Sequence, residues 1–282
     1  MTTELAFSTL PQDWQAWIAE NIDRGCEPAA MAHQMITDGK FAASVTYEAI
    51  HHAFQARHPA PQDAPQMPRI DCTNNMLQTP DRQVAILSSF VAPRVVVLGG
   101  LLSDEECDAL IAHGHDRLAP SLVVSDNETT EAPHAGRTSR GAMLQRADCE
   151  LVGRIEARLA ALTNWPVDRG EGLQVLHYGE TNRYEPHYDW FDPSSPGARK
   201  QLLRGGQRLA TIIMYLSDVE QGGCTTFPKL GLQVAPKKGN ALFFANASAT
   251  GQPDDMTLHG GDPVLRGVKY VATKWLRMRE AV

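Results

Sequence analysis

Apolar residues recur at helical spacing in the first fifth of the chain and at strand spacing through its second half. Trp14, Trp17, Ile18 and Ile22 fall at i, i+3, i+4 and i+8, which is one stripe of a helix, and Gly25 stops it. Pro28 suits the first turn of a second helix that carries Met31, Met35 and Ile36 and ends at Gly39. A third helix is expected over 42–57, with Val45, Ile50 and Phe54 turned inward. His51 and His52 are adjacent on it, point about 100° apart, and read as surface or structural residues. Residues 58–80 are rich in Pro, Gln and Asp and read as linker, with one short strand expected around 69–72. The expected organisation is a helical region over 1–60, a linker over 61–90 and a main domain over 91–282.

In the main domain, Val95 to Leu98 form a β-branched run closed by Gly99-Gly100, an expected strand. Ser103 with Glu106 three residues on makes a capping box for a helix through Leu110 and Ile111. Residues 119–136 begin apolar, then turn polar, acidic and punctuated by Gly and Pro. That reads as a long mobile loop, and the lengths of such loops often mark functional lids. A strand is expected over 137–144 and a helix over 148–163, with Leu151, Val152, Ile155, Leu159 and Leu162 in register. After Trp165-Pro166 come strands at 173–178, 184–190, 208–217, 222–227, 232–236, 240–246 and 269–278, with a Pro/Gly/Ser loop at 192–206. The 208–217 run is nearly continuously apolar, as in a strand buried on both faces. Short strands at close spacing after helices predict an α+β protein with an antiparallel double-sheet jelly-roll core.

Composition narrows the function classes. A net charge of −7 leaves no basic excess to neutralise phosphates, which argues against a nucleic-acid partner. No apolar run reaches transmembrane length, and the first residues lack the basic and apolar regions of a secretory signal. Cys26, Cys72, Cys107, Cys149 and Cys224 are scattered, with no C-x-x-C, which favours free thiols in a reducing compartment. A cytoplasmic protein is expected.

The candidate chemistry centres on 178–189, YGETNRYEPHYD, with His259 further on. His187 and Asp189 stand two apart, and on a strand such residues share a face. If His259 comes from a neighbouring strand, the set becomes two imidazoles and one carboxylate, the facial triad of non-haem Fe(II) oxygenases. Alone, an H-x-D arises by chance. Lys269, ten residues after His259, opens the last strand and shares a face with Val271, Thr273 and Trp275. Alone it reads as a surface cation. Pointed into the barrel, a lysine needs a paired anion, which a dicarboxylate would supply, with Thr225 and Tyr178 as hydroxyl donors to the same group.

The segment 173–277 resembles the catalytic core of the prolyl 4-hydroxylase family of Fe(II)/2-oxoglutarate dioxygenases. The matching pieces are YGETNRYEPHYDWF, GGQRLATIIMYLSDVEQGGCTTFP, APKKGNALFF and LHGGDPVLRGVKYVATKW, in the family's order. The resemblance implies a double-stranded β-helix that binds Fe(II) through His187, Asp189 and His259. It places 2-oxoglutarate on Lys269, with help from Tyr178 and Thr225, and O2 on the metal. It places Arg208, Arg137, Ser139, Tyr184 and Trp275 along a substrate groove, with core packing as the alternative reading, above all for Tyr184 and Trp275. Ascorbate is a further expected cofactor. The implied reaction hydroxylates a peptidyl proline and converts 2-oxoglutarate to succinate and CO2.

The chain departs from the family pattern in three places. Cys224 stands where many members have Glu, Tyr270 stands where many have Trp, and the loop after Asp189 is longer and more basic than is common. These bear on substrate rather than on the metal. Halogenating relatives carry a small residue in place of the carboxylate; here Asp189 fills that position. A proline-containing peptide is the first expected substrate and a free amino acid or small metabolite the second. A non-catalytic jelly-roll module comes third, because all four key positions are filled. A loop at 121–136 folded over the metal would suit a small substrate, and an open one a peptide.

Overall fold

The apolar run at the middle of the second half forms the centre of a nine-stranded antiparallel sheet. In the computed structural model the described residues are 7–26, 28–57, 67–124, 131–133, 136–192, 195–247 and 252–281. The chain divides into two compact units, Met1–Ala64 and Pro65–Val282. The first holds α1 (Gln12–Asp23), α2 (Pro28–Thr37) and α3 (Ala43–Arg57). Its core is Leu10, Ile18, Ile22, Met31, Met35 and Ile50 with small alanines, and Trp14, Trp17, Phe41 and Val45 pack on it. Phe7 lies against His52, with ring centroids 5.6 Å apart. The inward position expected of Phe54 and the surface position expected of His51 concern side chains outside the described set.

In the second unit the strands in chain order are β1 (Met76–Gln78), β2 (Gln83–Phe90), β3 (Val95–Gly99), β4 (Ala119–Pro120), β5 (Leu122–Val124), β6 (Glu131–Pro133), β7 (Arg140–Leu144), β8 (Leu173–Tyr178) and β9 (Tyr184–His187). There follow β10 (Arg208–Tyr215), β11 (Gln221–Gly222), β12 (Thr225–Phe227), β13 (Leu232–Val234), β14 (Ala241–Ala245), β15 (His259–Gly261), β16 (Val264–Arg266) and β17 (Lys269–Arg277). The helices are α4 (Asp104–His115), α5 (Glu150–Thr163) and α6 (Pro196–Leu203). The major sheet runs β1-β2-β3-β14-β10-β17-β8-β7-β4, and a minor sheet runs β13-β12-β15-β9. This is the expected jelly roll.

Strand alternation explains why the central strands are apolar on both faces. Val96, Leu98, Ile212, Met214, Phe243 and Ala272 join one core, with Leu110 of α4 and Ile155 and Leu159 of α5. Their neighbours Val95, Tyr215, Leu242, Phe244 and Val271 join a second core with Phe227 and Val234 of the minor sheet. The capping box forms as expected, with Ser103 accepting from the Glu106 backbone and Glu106 accepting from that of Ser103. Glu106 also receives Arg158 of α5, a guanidinium only 2% exposed that reaches Asp81 as well.

Three stretches differ from expectation. The linker expected through residue 90 carries β1 and β2, which extend the major sheet, and 69–72 is not a strand. Val84 of β2 is buried among the major-sheet residues, so that stretch contributes to the core despite its polar spelling. The loop at 192–206 contains α6. Pro196 occupies its first turn, where a missing N–H costs nothing, and the Ala, Arg, Lys, Gln and Leu that follow favour helix. Within the expected mobile loop, β5 and β6 pair as a two-stranded ribbon; 125–130 and 134–135 lie outside the described residues, and with them the question of a lid.

Candidate active site

Neighbouring strands of the minor sheet bring the two histidines together. In the β9–β15 pair, His187 stands directly opposite His259. Asp189 follows two residues after His187, past the end of the strand, with its side chain buried. His187 Nε2 lies 3.7 Å from Asp189 Oδ1 and His259 Nε2 lies 3.6 Å from Asp189 Oδ2. Among the described residues this is the group of His, Cys, Asp or Glu side chains close enough to share an ion, all three ligand atoms lying within 4.8 Å.

The tautomers suit metal binding. His187 Nδ1 lies 2.9 Å from the Glu185 carbonyl oxygen, and His259 Nδ1 lies 3.0 Å from that of Thr257. A carbonyl only accepts, so each Nδ1 carries the hydrogen and each Nε2 presents a lone pair toward Asp189. Burial, then the neighbouring His259, hold the His187 ring well below the usual histidine range, so it is neutral at pH 7. Burial alone would raise Asp189. The two imidazoles, Arg208 and the Thr211 hydroxyl outweigh it and keep the carboxyl ionised. His187 stacks on Tyr184 with centroids 3.6 Å apart, and Phe244 packs against His259 at 4.5 Å, which fixes both rings. Two imidazoles and one carboxylate on one side of a point, with space on the other, fit a ferrous ion with open positions.

Lys269 comes from the opposite sheet. It opens β17, in register with Tyr178 of β8, and is 4% exposed. Among the described residues no carboxylate pairs with it; Nζ lies 5.5 Å from the Tyr178 ring centroid and 6.0 Å from that of Tyr215. Burial lowers its pKa to about 8, and Cys224 and Asp262 offset this only in part. Lys274, five residues on, points to the other face, where it pairs with Glu156 at 2.5 Å. The chain thus pairs the buried lysine of its helix layer and leaves the one in the cleft without an anion.

The cleft holds roughly 460 Å³ of empty space, including its open mouth. Around it stand His187, Asp189, His259, Lys269, Tyr178 and Thr225, together with Val271, Thr273 and Trp275 on the shared face of β17. Arg137 and Tyr184 line it too, with the guanidinium 4.7 Å from the Tyr184 ring centroid. Ser139 and Arg208 stand behind the lining. Ser139 Oγ donates to Ser121 Oγ at 2.9 Å. Arg208 makes a bidentate pair with Glu171 at 2.7 and 2.9 Å and lies 3.9 Å from the Trp275 ring centroid, so it backs that indole.

Tyr215 escaped the sequence reading. Its hydroxyl donates to Thr225 Oγ1 at 2.9 Å, which turns the Thr225 hydrogen away toward the cleft. The available signal was the two-residue period of β10, which puts Thr211, Ile213 and Tyr215 on the site side.

The sequence profile of the 2OG-Fe(II) oxygenase superfamily matches residues 173–277. "Probable prolyl 4-hydroxylase 6" of Arabidopsis thaliana is 40% identical over 206 residues, 66% of this chain and 70% of the relative. "Prolyl 4-hydroxylase 5" of the same plant is 41% identical over 207 residues, 67% of this chain and 69% of the relative. A crystal structure of the viral collagen prolyl hydroxylase of Paramecium Bursaria Chlorella virus-1, in its 2OG complex, superposes with a TM-score of 0.51 at 30% identity, covering 67% of this chain and 96% of that one. No helix among the described residues is long and apolar enough to cross a membrane. The chain belongs to the prolyl 4-hydroxylase family of 2OG-Fe(II) oxygenases and is a dioxygenase that uses Fe(II), 2-oxoglutarate and O2.

Proposed function

We propose that this enzyme 4-hydroxylates a proline within a peptide, with His187, Asp189 and His259 as the iron ligands and Lys269 as the anchor for 2-oxoglutarate. The observation that carries the reading is the unpaired buried ammonium in the same cleft as the His/Asp/His group. When bound, the iron and 2-oxoglutarate supply the oxidant and the decarboxylation that drives its formation. The residues supply position and dryness. Lys269 meets the far carboxylate of the cosubstrate; Thr225, its oxygen held by Tyr215, and Tyr178 donate to the same group. Tyr184, Trp275 and Arg137 border the mouth, where an apolar pyrrolidine ring can lie against aromatic faces with its peptide running outward. Arg208 and Ser139 act by holding Trp275 and Arg137. Ascorbate is assigned as auxiliary reductant, and the cytoplasm as the compartment, which the five free cysteines suit.

Succinate formation with Fe(II) and 2-oxoglutarate, compared between proline-rich peptides and free proline, tests the substrate. Peptides are expected to stimulate turnover and to gain a 4-hydroxyproline. Stimulation by free proline alone would replace the peptide reading with that of a small-molecule hydroxylase.

Lys269 also sets a pH dependence. Its pKa is lowered to about 8, so the binding-competent cation prevails below that pH and is lost as pH rises through it. The KM for 2-oxoglutarate should be flat below pH 7.5 and rise about tenfold between pH 7 and pH 9. A KM constant over that range would remove Lys269 from cosubstrate binding.

A further inference from the structure

Behind Asp189 runs a chain of buried hydrogen bonds that the roles above leave unused. Asn246 Nδ2 donates to Thr211 Oγ1 at 2.9 Å, and Thr211 Oγ1 donates to Asp189 Oδ2 at 2.7 Å. Thr211 and Asn246 are each 0% exposed. Chemistry fixes the direction of the chain. An ionised carboxylate only accepts, so the single hydroxyl hydrogen of Thr211 goes to Asp189. The hydroxyl oxygen can then only accept, which turns the amide nitrogen of Asn246 toward it. That orientation leaves Asn246 Oδ1 buried without a donor. An orphaned acceptor is costly, so the fold tolerates it where the amide must point its N–H at Thr211. The backbone of Asn246 is pinned as well, donating to Leu209 and accepting from Asp254.

Both oxygens of Asp189 lie near an imidazole nitrogen, Oδ1 3.7 Å from His187 Nε2 and Oδ2 3.6 Å from His259 Nε2. A free carboxylate could therefore offer both oxygens to an ion between the rings. We propose that Thr211 and Asn246 are positioning residues that occupy Asp189 Oδ2 and leave Oδ1 as the single oxygen given to the metal. A carboxylate bound through two oxygens would consume a coordination position that the keto acid or O2 needs. This rests on the reading of His187, Asp189 and His259 as metal ligands.

The test uses Co(II) as a spectroscopic probe, titrated into the metal-free full-length protein, with affinity and the visible absorption spectrum as readouts. Thr211→Val removes the hydroxyl at constant shape. Asn246→Leu removes the amide donor at similar shape and frees the Thr211 hydroxyl to turn. Both should shift the visible spectrum toward higher coordination and change Co(II) affinity by about tenfold, while Thr211→Ser should behave as wild type. Affinities within twofold of wild type and an unchanged spectrum in both variants would overturn the proposal, as would a Thr211→Ser protein no better than Thr211→Val. Melting of the metal-free proteins reports folding; where either variant fails to fold, Asn246→Ala, which deletes the donor and the orphaned oxygen together, decides on the same readouts. Asp189→Ala separates the two levels. If it binds Co(II) as wild type does, the ligand reading fails and this inference with it. If it loses Co(II) while Thr211→Val keeps the wild-type affinity and spectrum, only the positioning role falls.

Discussion

Asp189→Ala is expected to stop 2-oxoglutarate decarboxylation as well as hydroxylation, lowering succinate release about a thousandfold or more. The aspartate is the one acidic member of the group, and on the proposed ligand set its charge would balance a divalent ion in a way that imidazoles cannot. Losing it removes several kcal/mol of metal stabilisation, and each 1.4 kcal/mol is a factor of ten. The loss should appear even without a hydroxylation substrate, because uncoupled turnover needs the same ion. Substrate-independent succinate release at a tenth of the wild-type rate would sink the assignment. The variant also leaves the Thr211 hydroxyl facing a void, so its melting temperature is needed to show that the fold survives.

Lys269→Met should raise the KM for 2-oxoglutarate by about two orders of magnitude with little change in kcat at saturation. Truncating one member of a buried charge pair costs about 2–5 kcal/mol, and Lys269 is proposed to touch the remote carboxylate, not the reacting atoms. The same substitution should make the ligand-free protein more stable. Without its anion, Lys269 is a buried ammonium with no carboxylate partner among the described residues, and methionine fills a similar volume without that penalty. Thermal melts of the two proteins with and without 2-oxoglutarate check both halves. A KM within threefold of wild type, or a melting temperature that still rises with 2-oxoglutarate as in wild type, would show that the dicarboxylate is held elsewhere.

The parts of the fold that read directly from sequence are those where one local rule suffices. β10 spells its burial in nearly consecutive apolar letters, and Ser103 with Glu106 spells a helix start. The shared face of Lys269, Val271, Thr273 and Trp275 followed from strand alternation, and all four border the cleft. Positions that depend on partners distant in sequence did not read. Val84 enters the core only because β2 pairs with β3. Tyr215 and Thr211 looked like core residues of an apolar strand, because nothing in their own stretch reveals that Thr225 and Asp189 face them. Arg208 was expected in the groove, and the structure places it behind Trp275 because Glu171, in a loop ahead of β8, neutralises it there. The α6 helix hid behind the Pro, Gly and Ser that introduce it.

His187 and His259 sit on one rung of the minor sheet although 71 residues of chain, including all of β10 and β14, run between them. Of the proposed ligand set, an unfolded or half-folded chain therefore offers an ion only one imidazole and a nearby aspartate together, and no cage. On that ligand set ferrous ion would discriminate sharply between native and non-native chains, and its binding energy would shift that equilibrium toward the native side. Iron supply during synthesis would thus act as a quality checkpoint: molecules that capture the ion are by that fact correctly closed, and those that do not remain the easier prey of proteases.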